Sequence, residues 1–171
     1  MSNDFARYKI RPACNEDKQK VLSFLSATSF FREGELKIAE QVFDDAIRQG
    51  AGGEYLSYVA EQWTQPRLTA DSSIVGWICF GPAPCTVGTY DIYWIAVDPA
   101  KQRSGLGSAL IRFAEDKIKT SNGRMIVIET SASSLYLPTR SFYNKLGYLQ
   151  MAAVDNFYAP GDSKVVYAKY V

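Results

Sequence analysis

The sequence contains no histidine. A Ser-His-Asp or Cys-His nucleophilic site is therefore excluded, as is any metal site that needs an imidazole. Cysteine is scarce. Cys14, Cys79 and Cys85 form an odd, scattered set, poor support for zinc and unlike a disulfide framework. They read as reduced thiols, which implies a cytoplasmic chain. An excess of charge of one sign is missing too. A formal net charge of +1 gives no electrostatic case for a nucleic-acid or membrane partner. No apolar run approaches the roughly 18 residues that a membrane span needs. The opening "MSNDFARYKIRP" is polar and lacks the apolar segment of a secretion signal. Any proton transfer falls to carboxylates, tyrosines, lysines, thiols or water.

What is present suffices for one domain over residues 1–171 with a substantial core, since 47% of the residues are apolar. "ARYKIRPA" alternates as a strand. "DKQKVLSFLSA" and "ELKIAEQVFDDAIRQG" carry helical stripes, the second ended by Gly50. The aromatic "TSFFREGE" between them reads as a loop able to act as a lid. "EYLSYVAE", "SIVGWICFG" and "TYDIYWIAV" read as strands, the first two separated by the polar loop "QWTQPRLTADSS". A helix runs from Gly105 to about Thr120. "RMIVIETS" is nearly continuous in apolar residues, which predicts a strand buried on both faces. A short helix over "PTRSFYNKLG" opens near Pro138 and closes at Gly147. Two strands around "APGD" follow. The order β-α-α-β-β-β-α-β-α-β-β predicts an α/β layer fold.

The stretch "QRSGLGSAL" places two glycines at the start of a helix. As a dinucleotide fingerprint it fails, because Leu110 stands at the third glycine position and "DPAKQRS" separates the loop from its strand. As a P-loop it lacks the lysine and the preceding glycine. A lone Gly-x-Gly often only eases a turn. The wider stretch says more. A strand ends in Val-Asp-Pro, then come Gln102-x-x-Gly105-x-Gly107 and a helix. Consecutive amides at a helix N-terminus suit a diphosphate.

This stretch resembles the acetyl-coenzyme A site of the GCN5-related N-acetyltransferase (GNAT) superfamily, and the late "SFYNKLGY" resembles that family's helix beside the thioester. A closer resemblance is to a bacterial and archaeal branch, carried by "CFGPAPCTVGTYDIYWIAV", "ETSASSLYLPTRSFYNKLGY" and "DNFYAPGDSKVVYAKYV". Some members of that branch are described as amino-acid or D-alanine acetyltransferases. The resemblance implies a mixed, mostly antiparallel, twisted sheet of about seven strands flanked by about four helices and splayed between strands 4 and 5. It implies acetyl-coenzyme A as acetyl donor, held by Gln102, Arg103, Ser104, Gly105, Leu106, Gly107 and Ser108, with Tyr143 and Lys145 from the late helix. The strand backbone at Ile95, Ala96 and Val97 would stabilise the oxyanion. A small-molecule amine is the implied acceptor, and a homodimer is compatible with it.

Acetyl transfer to an ammonium requires a base, an oxyanion donor and an acid for the thiolate. The resemblance implies Tyr143 as the acid, since the family's tyrosine at this helix position lies near the cofactor sulfur; Phe142 and Leu146 are expected to define a buried helix face, and the helical period turns Tyr143 about 100° from it. The resemblance implies two alternative bases, Glu129 at the position where ribosomal-protein N-terminal acetyltransferases carry theirs and Asp91 where histone acetyltransferases carry a catalytic glutamate, and a water relay is a third. Both carboxylates lie in apolar strands, where desolvation would raise their pKa. Phe31, Arg32, Tyr93, Tyr136, Arg140 and Tyr158 are expected around the acceptor, an arginine beside aromatics suiting a carboxylate. An acyl-cysteine route through Cys79 or Cys85 lacks an activating histidine. A peptide or protein acetyltransferase and a non-catalytic acetyl-coenzyme A-binding module are the alternatives.

Overall fold

The computed structural model describes residues 8–28, 30–62 and 74–171. Its elements follow the expected order: β1 Tyr8–Pro12, α1 Lys18–Ala27, α2 Glu33–Gln49, β2 Leu56–Gln62, β3 Ile74–Pro82, β4 Thr89–Val97, α3 Leu106–Thr120, β5 Met125–Ser131, α4 Leu137–Lys145, β6 Leu149–Ala159 and β7 Asp162–Tyr170. The strands form one sheet in the order β1-β2-β3-β4-β5-β7-β6. The loop expected over residues 62–73 lies outside the described residues, apart from Gln62 in β2. The described residues group into two compact units, one within Met1–Gly81 and Trp94–Ala114, the other Pro82–Tyr93 and Glu115–Val171.

In the first unit, β1 and β2 pair antiparallel from Tyr8↔Gln62 to Pro12↔Tyr58, and β2 pairs β3 antiparallel. Both early helices are amphipathic. Val21, Phe24 and Leu25 of α1 and Ala39, Phe43 and Ala46 of α2 are buried, as the helical period requires. Helix α2 begins earlier than expected. The Glu35 carboxylate accepts the Arg32 amide at 2.7 Å, a reciprocal cap that draws Glu33 and Gly34 into the helix. The expected lid is shortened accordingly. Helix α3 sits close on β3. A Cβ on Gly76 would lie 3.1 Å from the Leu110 Cδ1 and 3.3 Å from the Leu106 Cδ2, so the missing side chain lets the start of α3 approach.

In the second unit, β4 and β5 run parallel, but only from Thr89↔Met125 to Ile92↔Ile128. β5 goes on pairing antiparallel with β7 as far as Ser131↔Lys164. The two parallel strands thus fork after Ile92. The burial of β4 also loses its two-residue alternation: Thr89, Ile92 and Ala96 are buried, at intervals of three and four rather than two. β5 corrects one expectation. Ile126 and Ile128 are buried but Glu129 is exposed, so the strand is not covered on both faces. Edge strand β6 is exposed along nearly its whole length. Buried Tyr148 donates to Glu115 at 3.1 Å, and Lys169 bridges Glu115 and the Leu146 carbonyl, each at 2.9 Å. These bonds fix the C-terminal end of α4 to α3 and β7.

Candidate functional site

The glycine loop is built from the end of β4. The Asp98 amide donates to the Val75 carbonyl at 2.9 Å, and its carboxylate accepts the Ala100 amide at 2.9 Å. Pro99 follows in a short 3-10 turn over Pro99–Lys101. Ser104 Oγ then donates to the Lys101 carbonyl at 2.6 Å. The loop closes with two residues in left-handed backbone, Arg103 at φ +61° and Gly105 at φ +83°. Such a conformation is rare for an arginine and collects at functional sites. Gly105 accepts the Ala109 amide at 3.0 Å, which makes it the residue that opens α3. The amides of Leu106, Gly107 and Ser108 then fall in the first helical turn, where no intrahelical acceptor exists.

The space over this turn is open. A Cβ at Gly105 would meet nothing within 4 Å. Ser104, Gly105, Leu106 and Ser108 line a surface pocket of about 170 Å³ together with Tyr8 and Arg112. The exposed loop, its free helix end and the room above Gly105 fit a diphosphate. A larger depression of about 280 Å³, lined by Cys14, Tyr55 and the C-terminal end of α2, contains none of the predicted site residues. Ile95, Ala96 and Val97 form the last three positions of β4, beyond the fork.

Tyr143 stands on α4 and is 4% exposed. This reverses the expected helix face, since Phe142 and Leu146 are only half-buried. The reason is aromatic packing. The Tyr143 ring lies 5.9 Å from that of Tyr167 and 6.2 Å from that of Tyr148. Burial, and then the neighbouring Tyr136, push its phenol above the ordinary tyrosine range. Tyr167 faces Ile128 across the β5–β7 ladder, and Ile128 is the last β5 residue paired with β4. The buried tyrosine is thus placed at the fork.

The carboxylates belong to the other face. Asp91 pairs with Val127, and strand alternation puts Val127 and Glu129 opposite to Ile128. The two carboxylates differ in environment. Half-buried Asp91 has its pKa raised by burial first and by the negative charge of Glu129 second. The Glu129 side chain is 51% exposed and pairs with the Lys164 ammonium at 3.1 Å. The expectation of an apolar, desolvating environment holds for Asp91 and fails for Glu129, whose strand position points out of the apolar layer.

The expected acceptor residues stand on different elements. Phe31 is half-buried, its ring 5.2 Å from that of Trp94, which stacks on Trp77 at 6.0 Å. Arg32 is exposed at the start of α2. Arg140 Nη1 donates to the carbonyls of Ser131 and Ser133 at 2.7 and 2.8 Å, bracing the loop after β5. Tyr93 and Tyr136 are half-buried, Tyr158 is 40% exposed, and Lys145 is exposed. Sequence reasoning missed Trp94, read only as a strand-forming aromatic, and Lys164, whose one signal was its place at the head of an apolar strand. Buried Cys79 has its thiol pushed up to about 12 by burial, which makes it a poor nucleophile.

Residues 27–148 match the model of the acetyltransferase (GNAT) family. A protein from Desulfovibrio desulfuricans, described as a GNAT-family acetyltransferase, is 35% identical, with 95% of this chain and 98% of that chain covered and a TM-score of 0.85. The ribosomal-protein-S18-alanine N-acetyltransferase of Escherichia coli is similar in fold at 19% identity, 96% and 94% coverage and a TM-score of 0.69. The PaiA N-acetyltransferase of Thermoplasma acidophilum, solved with coenzyme A, shows 16% identity, full coverage of both chains and a TM-score of 0.70. No curated protein matches the sequence.

Proposed function

Because the chain belongs to the acetyltransferase (GNAT) family, we propose that it transfers the acetyl group of acetyl-coenzyme A directly to the primary amine of a small molecule, an amino acid or a related amine. The observation that carries this reading is the forked pair β4 and β5, with Tyr143 on one face and Asp91 and Glu129 on the other. Acid and base can then approach a reacting centre from opposite sides.

The cofactor supplies an activated acetyl thioester. The chain supplies the rest. The amides over residues 103–108 would hold the diphosphate, with Gln102 and Arg103 beside it, and the backbone of Ile95–Val97 would donate to the carbonyl oxygen. Tyr143 gives a proton to the leaving sulfur. Asp91 is the base, because partial burial and the nearby Glu129 charge make its carboxylate more basic. Glu129 acts as its electrostatic neighbour. Phe31, pinned on Trp94, together with Arg32, shapes access for the acceptor. One catalytic domain over residues 1–171 is part of the reading.

A peptide acceptor is the second reading, and the Escherichia coli relative in fold is named for such an activity. The pinned α1–α2 connection favours a compact acceptor. A cytoplasmic location agrees with three free cysteines; no helix among the described residues is long and apolar enough to cross a membrane. A homodimer finds support in exposed edge strand β6, with its apolar Leu149, Met151 and Val154. The test is an acceptor screen, free amino acids against peptides, read by release of free thiol. Turnover of peptides alone would overturn the small-molecule reading, and coenzyme binding with no turnover would indicate a binding module.

A further inference from the structure

The face of the sheet that carries Asp91 and Glu129 also carries Asp162, whose carboxylate accepts the Ser131 hydroxyl, and Lys164. Lys164 sits opposite Ser131 in the β5–β7 ladder, which gives it the same face as Glu129. Its ammonium is 3.1 Å from a Glu129 carboxylate oxygen and 4.1 Å from the centre of the Phe157 ring, and the side chain is 16% exposed. An ordinary surface lysine needs none of this.

The backbone around Phe157 is irregular in a way that serves the contact. Val154 pairs with Lys164, and Ala159 pairs with Asp162. Residues 155–158 of β6 therefore stand against the single Ser163 of β7. Asn156 takes a left-handed φ of +54°, and its side-chain oxygen accepts the Gly161 amide at 2.7 Å. Ser163 Oγ donates to Asp155 at 3.2 Å. The hairpin end is thus tied down with an aromatic ring over an ammonium that already has a carboxylate partner. A ring face attracts a cation and cannot accept its proton, so Phe157 orients Lys164 and leaves its charge available.

We propose that Lys164 is the specificity-determining cation of the acceptor site, where it binds the carboxylate of an amino-acid acceptor whose amine faces Asp91 and Glu129. The proposal rests on the acetyl-transfer reading above and names its substrate class. A zwitterion carries one positive and one negative group, and this face offers the complement, the carboxylates of Asp91 and Glu129 beside the Lys164 ammonium. The Lys164 ammonium has three donors, so it can hold Glu129 and an incoming carboxylate together. The two arginines expected for this task are placed otherwise. Arg140 Nη1 binds backbone carbonyls, and Arg32 lies at the exposed start of α2.

The experiment measures kcat/KM for a panel of free amino acids and, for each, the amine lacking the carboxylate, with the wild type, Lys164→Met, Lys164→Arg and Phe157→Leu. The ratio of carboxylated to decarboxylated acceptor is the readout. Loss of a hydrogen bond between charged groups is worth about a tenfold to hundredfold change. Lys164→Met should lower the ratio by that factor, mainly through the KM of the amino acid, with the KM for acetyl-coenzyme A unmoved. Lys164→Arg should keep most of the preference. Phe157→Leu, at an exposed hairpin position where folding is not at stake, should lower the ratio by a smaller factor. Equal losses for both acceptors in Lys164→Met would mean a purely structural role and overturn the proposal. A wild type that acetylates both acceptors equally would overturn it while leaving the acetyl-transfer reading intact. A wild type that acetylates no amine would remove that reading, and the proposal with it.

Discussion

Gly105 tests whether the loop before α3 is built for a ligand or only for a turn. Its φ is +83°, and an added Cβ would meet nothing within 4 Å. Gly105→Ala therefore carries no steric clash, only the backbone cost of left-handed geometry, about 1–2 kcal/mol. Alanine also restricts the unfolded chain, which returns about 0.4–1 kcal/mol. The net destabilisation should be about 1 kcal/mol, a drop of about 2–4 °C in melting temperature for a chain of this size. Cofactor affinity should respond more strongly. The methyl group enters the open space above the first helical turn, where a diphosphate would lie against the amides. Loss of one hydrogen bond to a charged group costs about 1.5–3 kcal/mol, or about 10- to 150-fold in Kd. Arg103→Gly works in the opposite direction on the backbone. It relieves the strain at φ +61°, the gain is largely offset by glycine's unfolded-state freedom, and stability should hardly change. Affinity should still fall, because the guanidinium is lost beside the phosphates. Titration calorimetry with coenzyme A and thermal melts on the same samples check both variants. Unchanged affinity in Gly105→Ala would refute the reasoning, and so would an affinity loss no larger than the stability loss.

Tyr143→Phe keeps the ring packing and removes the acid; turnover should fall by about 100- to 10,000-fold with little change in coenzyme affinity, and rapid-quench kinetics will show whether chemistry is the affected step. Because the pKa of Asp91 is raised in the fold, its ionisation opposes folding: the favourable contribution is complete below the ordinary carboxylate range and is lost as pH rises through the folded value. Asp91→Asn should therefore raise the melting temperature at about pH 7 but not at about pH 3.5, and should abolish the acidic limb of the pH-rate profile. Glu129→Gln removes the charge that helps raise the Asp91 value and should move that limb to lower pH without abolishing it; an abolished limb would return the role of base to Glu129. Val154→Lys places a charge on the exposed β6 edge and should shift a dimer toward monomer in sedimentation, whereas a wild type that is monomeric at every concentration refutes the homodimer.

The fold was legible because its elements are locally consistent. The stripe of Ala39, Phe43 and Ala46 has the helical period, and the aromatic and β-branched run of β4 has no competing one. The glycine loop was legible for a similar reason. Val-Asp-Pro and the two glycines act through backbone geometry, which residue identity dictates directly: proline fixes φ, Asp98 caps the turn, and Gly105 accepts a left-handed φ. The burial of Tyr143 was not legible. Phe142 in α4 and Leu146 just after it are more apolar than Tyr143, and a helical wheel turns them inward. What faces the helix is a tyrosine cluster contributed by Tyr148 and Tyr167, and the β7 partner comes from more than twenty residues further along the chain.

The same limit applies to the two carboxylates. Asp91 and Glu129 look alike in sequence, each set in a strand rich in β-branched residues. Their difference arises from register. Pairing of β4 with β5 keeps Asp91 beside Val127, half-covered and within the field of Glu129. β5 leaves β4 after Ile128 and stays with β7, which opens Glu129 to solvent and to Lys164. One departure of strand from strand therefore separates a carboxylate suited to holding a proton from one suited to holding a lysine. A basic carboxylate needs desolvation, and a carboxylate-reading lysine needs a partner that keeps it in place while the acceptor is absent. The proposed roles ask for both on one sheet face, which this register supplies, while the buried phenol of Tyr143, the proposed proton donor, lies on the opposite face.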